Sequence, residues 1–175
     1  MHPLRVSVNV SGKQLADPNF ARMVRQALFD ANLPPKLLEL ELTESVISVN
    51  IERTAAVVKE LHDFGVRIAI DDFGTGYNSL AILRSYVVDT LKLDMCFVAD
   101  IARSPVDQAI ASAVITAAHA LGAKVVAEGV ETAAQSVMLS SLKCDALQGY
   151  LFAKPMSAAK FADVLRAESL VPIYA

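Results

Sequence analysis

Glu41, Asp71 and Glu128 each stand where an apolar, strand-like run breaks into a loop. The runs read Leu37-Leu38-Glu39-Leu40-Glu41, Val66-Arg67-Ile68-Ala69-Ile70-Asp71 and Lys124-Val125-Val126-Ala127-Glu128. Two further runs end on polar groups: Val6-Ser7-Val8-Asn9 on an amide, and Leu91-Lys92-Leu93-Asp94 on a lysine and an acid. Carboxylates gathered in one place repel each other unless a cation sits among them. Their convergence would therefore make an oxygen-rich site for a hard divalent ion. Asp71-Asp72-Phe73-Gly74-Thr75-Gly76-Tyr77 is the strongest local signal. Adjacent acids at a strand end oppose stability by mutual repulsion, and Gly74 and Gly76 open backbone conformations that a tight functional loop requires. Asp72-Phe73-Gly74 also matches a kinase metal-binding triplet, but no His-Arg-Asp element accompanies it, which rules that chemistry out.

These groups meet only if the strands run the same way. Near-continuous apolar strands separated by helical stretches indicate parallel strands buried on both faces, and polar groups at their C-terminal ends would gather at one mouth of the sheet. Strand ends are expected near Asn9, Glu41, Asp71, Asp94, Glu128 and Gln148. Helical spacing fills the gaps over Asn19–Ala31, Asn50–Phe64, Asp107–Leu121, Thr132–Leu142 and Ser157–Ala167. Gly65 and Gly122 end two of these, and Pro105 precedes one. The expected fold is α/β: an incomplete TIM-type (β/α) barrel with about six of its eight βα units, forming one domain over residues 1–175.

Several single residues admit two readings. Glu44 follows Glu41 by three residues and either supports the site or caps a helix. Asn9 is a ligand or a satisfied turn amide. Lys92 lies within an apolar strand, where an unpaired ammonium is expensive, so it needs a carboxylate partner or a site; Asp94, two residues on and on the same side, is the nearest candidate. Glu131 is a site residue or a helix cap. Gln148-Gly149-Tyr150 ends the last strand. His2, His62 and His119 show no ligand spacing, and His62 and His119 read as surface or half-buried helical residues. Cys96 and Cys144 show no metal-type spacing and read as buried thiols.

Composition narrows the function classes. With 175 residues, 54% hydrophobic and 20% charged, the chain is one folded domain and not a disordered one. A net charge of -3 leaves no electrostatic footprint for long nucleic acids. The longest uncharged stretch, Ala109 to Ala123, is shorter than a bilayer needs and reads as a core helix.

Taken together, Val8-Asn9-Val10-Ser11, Glu39-Leu40-Glu41-Leu42-Thr43-Glu44, the Asp71–Tyr77 loop, Leu91-Lys92-Leu93-Asp94, Ala127-Glu128-Gly129-Val130-Glu131-Thr132 and Gln148-Gly149-Tyr150-Leu151-Phe152 resemble the ordered motif set of the EAL domain family. That resemblance implies hydrolysis of the bacterial second messenger cyclic di-GMP to linear pGpG, a role tied to biofilm control. It implies two cations, Mg²⁺ or Mn²⁺. Asn9, Glu41 and Asp71 match the ligands of one; Asp71, Asp72 and Glu128 match those of the second. Lys92 matches the residue that orients the attacking water, making Lys92 and Glu128 the catalytic candidates. Asp94 would anchor Lys92 or a metal-bound water, and Glu44 would tether the loop carrying Gly74, Thr75 and Gly76. Glu131 and Gln148 match positions lining the substrate.

The sequence departs from the family at one point. It contains no Glu-Ala-Leu triplet and no Glu-x-Leu-x-Arg segment ahead of Asn9. The expectation is that Met1 corresponds to the family's third barrel strand, that a ligand Glu and a phosphate-binding Arg are missing, and that the chain alone is inactive. A non-catalytic cyclic di-GMP receptor is the alternative from another class, and an enolase-type barrel a more distant one. Exposed sheet edges at Val6–Asn9 and at the Gln148 strand predict a homodimer or strand-exchanged oligomer. The resemblance also implies a cytoplasmic setting in a longer signalling protein, with other signalling domains upstream and a membrane attachment, if any, outside this chain.

Overall fold

The computed structural model describes residues 4–48, 51–74 and 85–166. Six strands are laid down in chain order: β1 (Val6–Asn9), β2 (Leu38–Thr43), β3 (Arg67–Phe73), β4 (Thr90–Leu93), β5 (Lys124–Ala127) and β6 (Ala146–Leu147). All pair in parallel, each with its sequence neighbour. The result is a curled half-barrel, matching the incomplete TIM-type fold.

Strand residues divide by alternation, since successive side chains point to opposite faces. Leu40, Leu42, Ile68, Ile70, Leu91, Leu93, Val125 and Ala127 face the helices and are nearly all inaccessible. Each buried Leu or Ile stabilises the fold by about 1.5–3 kcal/mol. The alternate residues face the inside of the curl and are largely polar: Glu39, Glu41, Asp71, Thr90 and Lys92 are all buried there.

The helices are α1 (Gly12–Leu15), α2 (Phe20–Asp30), α3 (Glu44–Ser48), α4 (Ile51–Asp63), α5 (Pro105–Ala120), α6 (Ala133–Ser141) and α7 (Ala158–Arg166), with 3-10 turns at Pro35–Leu37 and Met95–Phe97. They cover the outer face through residues such as Val58 and Leu61 of α4, Ile115 of α5 and Leu139 of α6. The helix over 105–120 begins two residues before the position expected, because Pro105 occupies its first turn behind the Ser104 cap. Cys96 is exposed and Cys144 intermediate, so the expectation of two buried thiols fails; the chain turns outward directly after β4. No helix among the described residues is long and apolar enough to cross a membrane.

Candidate active site at the C-terminal mouth

Three strand ends place four acids at one mouth. Glu41 comes from β2, Asp71 and Asp72 from β3, and Glu128 from the residue after β5. In a regular strand Asp71 and Asp72 would point to opposite faces. They do not, because the β3–β4 register shifts between Ile70 and Phe73, and Asp72 takes a left-handed backbone with φ 54°. A bulge of this kind re-aims side chains, often beside functional sites. Oxygens of Asp71, Asp72 and Glu128 all lie within 4.8 Å of one another.

Lys92, on β4, reaches into this group. Its Nζ lies 3.1 Å from Glu41 Oε2, 3.0 Å from Asp71 Oδ1 and 2.8 Å from Glu128 Oε1. Burial works against its charge, but hydrogen bonds to Glu128 and Asp71 prevail and raise the pKa above the ordinary lysine value. The acids carry the strain. Burial pushes the Asp72 carboxyl up, and the charges of Asp71 and Asp94 add to it. Burial also raises Glu128, partly offset by Lys92.

The surrounding residues are placed as follows. Asn9 ends β1 beside Glu41 in register, exposed, and its side-chain amide makes no hydrogen bond with the described residues. Glu44 begins α3, is buried, and its carboxylate accepts a bond from the Gly74 N–H at 3.3 Å. Gly74 has φ +99°, and a Cβ there would stand 2.6 Å from the Phe97 ring, so no other residue fits without displacement. Thr75, Gly76 and Tyr77 lie outside the described residues. Asp94 is not the ion-pair partner of Lys92: it caps the 3-10 turn by accepting from the Cys96 N–H at 2.8 Å, and its charge acts on Asp72. Glu131 is exposed and is not the cap of α6, which is Thr132 in a capping box with Gln135. Gln148 is exposed beyond β6, its N–H bonded to the Ala127 carbonyl at 2.8 Å.

The model of the family described as "EAL domain" matches residues 1–155. The chain belongs to the EAL domain family. It is 45% identical over 164 residues to the cyclic di-GMP phosphodiesterase NbdA of Pseudomonas aeruginosa, covering 94% of this chain and 21% of NbdA. Among solved structures it resembles the EAL domain of Mycobacterium smegmatis DcpA, with a TM-score of 0.90 at 42% identity, covering 96% of this chain and 75% of that one. It also resembles a manganese and cyclic di-GMP complex of Klebsiella pneumoniae BlrP1, with a TM-score of 0.83 at 33% identity, covering 88% of this chain and 40% of that one. The chain spans about a fifth to a quarter of the length of curated relatives it matches.

EAL domains use divalent metals, and the donor set here suits one. Every candidate ligand offers oxygen, as hard cations prefer; burial, and behind it the charges of neighbouring acids, raises Asp72 and Glu128, a load that a cation relieves. One lysine stands against four carboxylates, Glu41, Asp71, Asp72 and Glu128, leaving the group strongly anionic. Reading the sequence missed Glu39, which proves to be buried and bonded on three sides; its placement two residues before Glu41 was the available signal.

Proposed function

We propose that this EAL domain hydrolyses cyclic di-GMP to linear pGpG with two divalent cations, Mg²⁺ or Mn²⁺. The observation that carries this reading is the meeting of Asp71, Asp72 and Glu128 around Lys92. It is supported by the family's curated relatives, named cyclic di-GMP phosphodiesterases. Asn9, Glu41 and Asp71 would hold one ion, and Asp71, Asp72 and Glu128 the other. When bound, such a pair acidifies water and offsets the charge that develops at phosphorus.

The protein's own groups do the rest. The Lys92 ammonium, fixed by three carboxylates, orients the water oxygen toward phosphorus. As that oxygen bonds to phosphorus, the bond to the ribose 3′ oxygen breaks, and this leaving oxygen takes up a proton. Glu128 serves as ligand and as the closest acid to Lys92. Glu44 holds the Gly74 turn through its backbone N–H; Asp94 would anchor a metal-bound water, and Gln148 and Glu131 line the approach of the dinucleotide. The chain reads as the C-terminal six βα units of the domain, working in the bacterial cytoplasm inside a longer signalling protein. Val6 and Val8, 52% and 45% exposed on the β1 edge, support association into a dimer. Sedimentation that stays monomeric at all concentrations would count against that pairing.

The decisive experiment is product analysis with Mn²⁺ on the full-length protein, where pGpG should form. Binding of cyclic di-GMP without pGpG would instead make the protein a receptor. The isolated chain, lacking the Glu-Ala-Leu triplet, should bind Mn²⁺ more weakly in titration calorimetry than the full-length protein; equal affinity would mean that no ligand comes from outside it.

A further inference from the structure

Glu39 lies one layer beneath the acids of the site, two residues before Glu41 and on the same face of β2. It is 7% exposed. Its carboxylate accepts three hydrogen bonds from three directions: Arg5 Nη1 at 2.9 Å, Ser7 Oγ at 3.1 Å on β1, and Thr90 Oγ1 at 2.9 Å on β4. Ser7 and Thr90 are each two residues before a member of the site, Asn9 and Lys92. The bond to Thr90 spans a whole strand, because β3 runs between β2 and β4. Ala69 is the register partner of Thr90 on that strand, and its small side chain leaves the path open.

We propose that Glu39 is a positioning residue for the reaction: through Ser7 and Thr90 it sets the stagger of β1 and β4 against β2, and so the places of Asn9 and Lys92 relative to Glu41. Apolar packing on the outer face is non-directional and tolerates a small slide of one strand along another. Charge-assisted hydrogen bonds to a carboxylate do not; they are short and oriented. The Lys92 ammonium meets Glu41, Asp71 and Glu128 together only at one stagger of β4. A misplacement of about 1 Å at such a group can lower turnover by ~10²-fold. Glu39 touches neither substrate nor ion in this scheme and acts through Thr90 and Ser7.

The inference rests on the proposed hydrolysis for one readout and not for the other. In the full-length protein, Glu39→Gln keeps the shape and removes the charge, while Thr90→Val keeps the shape and removes the hydroxyl. With Mn²⁺ saturating, each should lower kcat by about 10-fold with KM little changed, as lost supporting bonds commonly do. The double variant should be no slower than the worse single one, because both remove the same link. Folded variants with kcat within about twofold of the parent, or losses that multiply, would overturn the proposal. Melting curves separate the case in which Glu39→Gln fails to fold, and Thr90→Val then carries the test alone. If the parent forms no pGpG, the proposed function falls by itself, and Mn²⁺ affinity decides instead: a fall of about 10-fold in either variant supports the role of Glu39, and unchanged affinity in both overturns it.

Discussion

At the C-terminal ends of the strands, Glu41, Asp71 and Glu128 share one ammonium, that of Lys92. At the N-terminal ends, Asp89 and Asp145 each have partners of their own. Asp89, just before β4, accepts from the Ile68 N–H at 2.9 Å, pairs with Arg67, and has His62 Nε2 at 3.5 Å. Asp145, just before β6, accepts from the Val125 N–H at 2.8 Å and meets His119 Nε2 at 2.7 Å. The two arrangements repeat: His62 and His119 both stand three residues before a glycine, and nine before the acid, Asp71 or Glu128, that the next strand delivers to the mouth. Thus each of these units pins one end with an acid that has partners of its own and presents at the other an acid that shares the Lys92 ammonium with its neighbours. Electrostatics follow that division. Asp145 is lowered, the cost of burial being outweighed by the Val125 N–H and His119, whereas Asp72 and Glu128 are raised.

The largest break in this contrast should come from Asp71→Asn in the full-length protein. Asp71 is the acid shared by both proposed ion positions, so turnover of cyclic di-GMP should fall by ~10³-fold or more. Glu131→Gln, on an exposed side chain outside the cluster, should change it far less. Activity retained by Asp71→Asn at saturating Mn²⁺ would sink the two-ion assignment.

Lys92→Met comes next. Turnover should drop by about 10²-fold, the share that positioning and proton handling commonly supply, while Mn²⁺ and cyclic di-GMP still bind. The geometry adds a sharper expectation. Removing one partner of a buried ion pair is destabilising by roughly 3–5 kcal/mol, because the remaining charge is left uncompensated. In chelator the variant should therefore melt well below the parent, and Mn²⁺ should raise its melting temperature by more than it raises the parent's. An equal shift in both proteins would mean that Lys92 does not serve the acids as a counter-ion.

How much of this was visible beforehand differs by element. The strands and the five longer helices were legible because apolar runs and three-to-four spacing are local properties, and Gly65, Gly122 and Pro105 marked their ends. α1 and α3 were not, being one turn or so with no room for periodicity. Asp71 and Asp72 were legible as a pair, but not the reason they converge: the bulge is a register relation between β3 and β4 and leaves no mark in either segment alone. Lys92 was correctly expected to need a carboxylate, and Asp94 was the wrong one. Alternation gives the side of a strand and not its length, and β4 stops at Leu93, after which Asp94 caps a turn. His62 and His119 were read as surface or half-buried residues, which they are; their acid partners were not legible, because these lie 27 and 26 positions away.

At the opposite end, Asp145→Asn tests the pinning role. It removes the charge that accepts from Val125 and His119, and should lower stability by about 1–3 kcal/mol with kcat unchanged. Because the folded-state pKa of Asp145 lies below its ordinary value, its contribution is present above that value and is lost as pH falls through the lowered one. Urea unfolding followed down through the acid range should thus lose stability less steeply in the variant. A change in kcat without one in stability would move Asp145 into the site's support and blur the division between the two ends.

The smallest expected effect, and the cleanest test of the crowded mouth, belongs to Asp72→Asn measured in chelator. Asn tolerates the left-handed backbone at φ 54° as readily as Asp does, so the substitution removes charge and leaves the bulge alone. Asp72 is raised by burial and by the charges of Asp71 and Asp94, which means that the folded state holds its proton more tightly than the unfolded one. The sign is then opposite to that of Asp145: stability falls as pH rises from the ordinary carboxylate value through the raised one. Asp72→Asn should abolish that fall and be slightly more stable than the parent at neutral pH. With saturating Mn²⁺ the order should reverse, since the parent regains through the ion what repulsion took away. A variant less stable than the parent in chelator at neutral pH would mean that the bonds of the Asp72 carboxylate outweigh the repulsion around it, and that the mouth is not under electrostatic load.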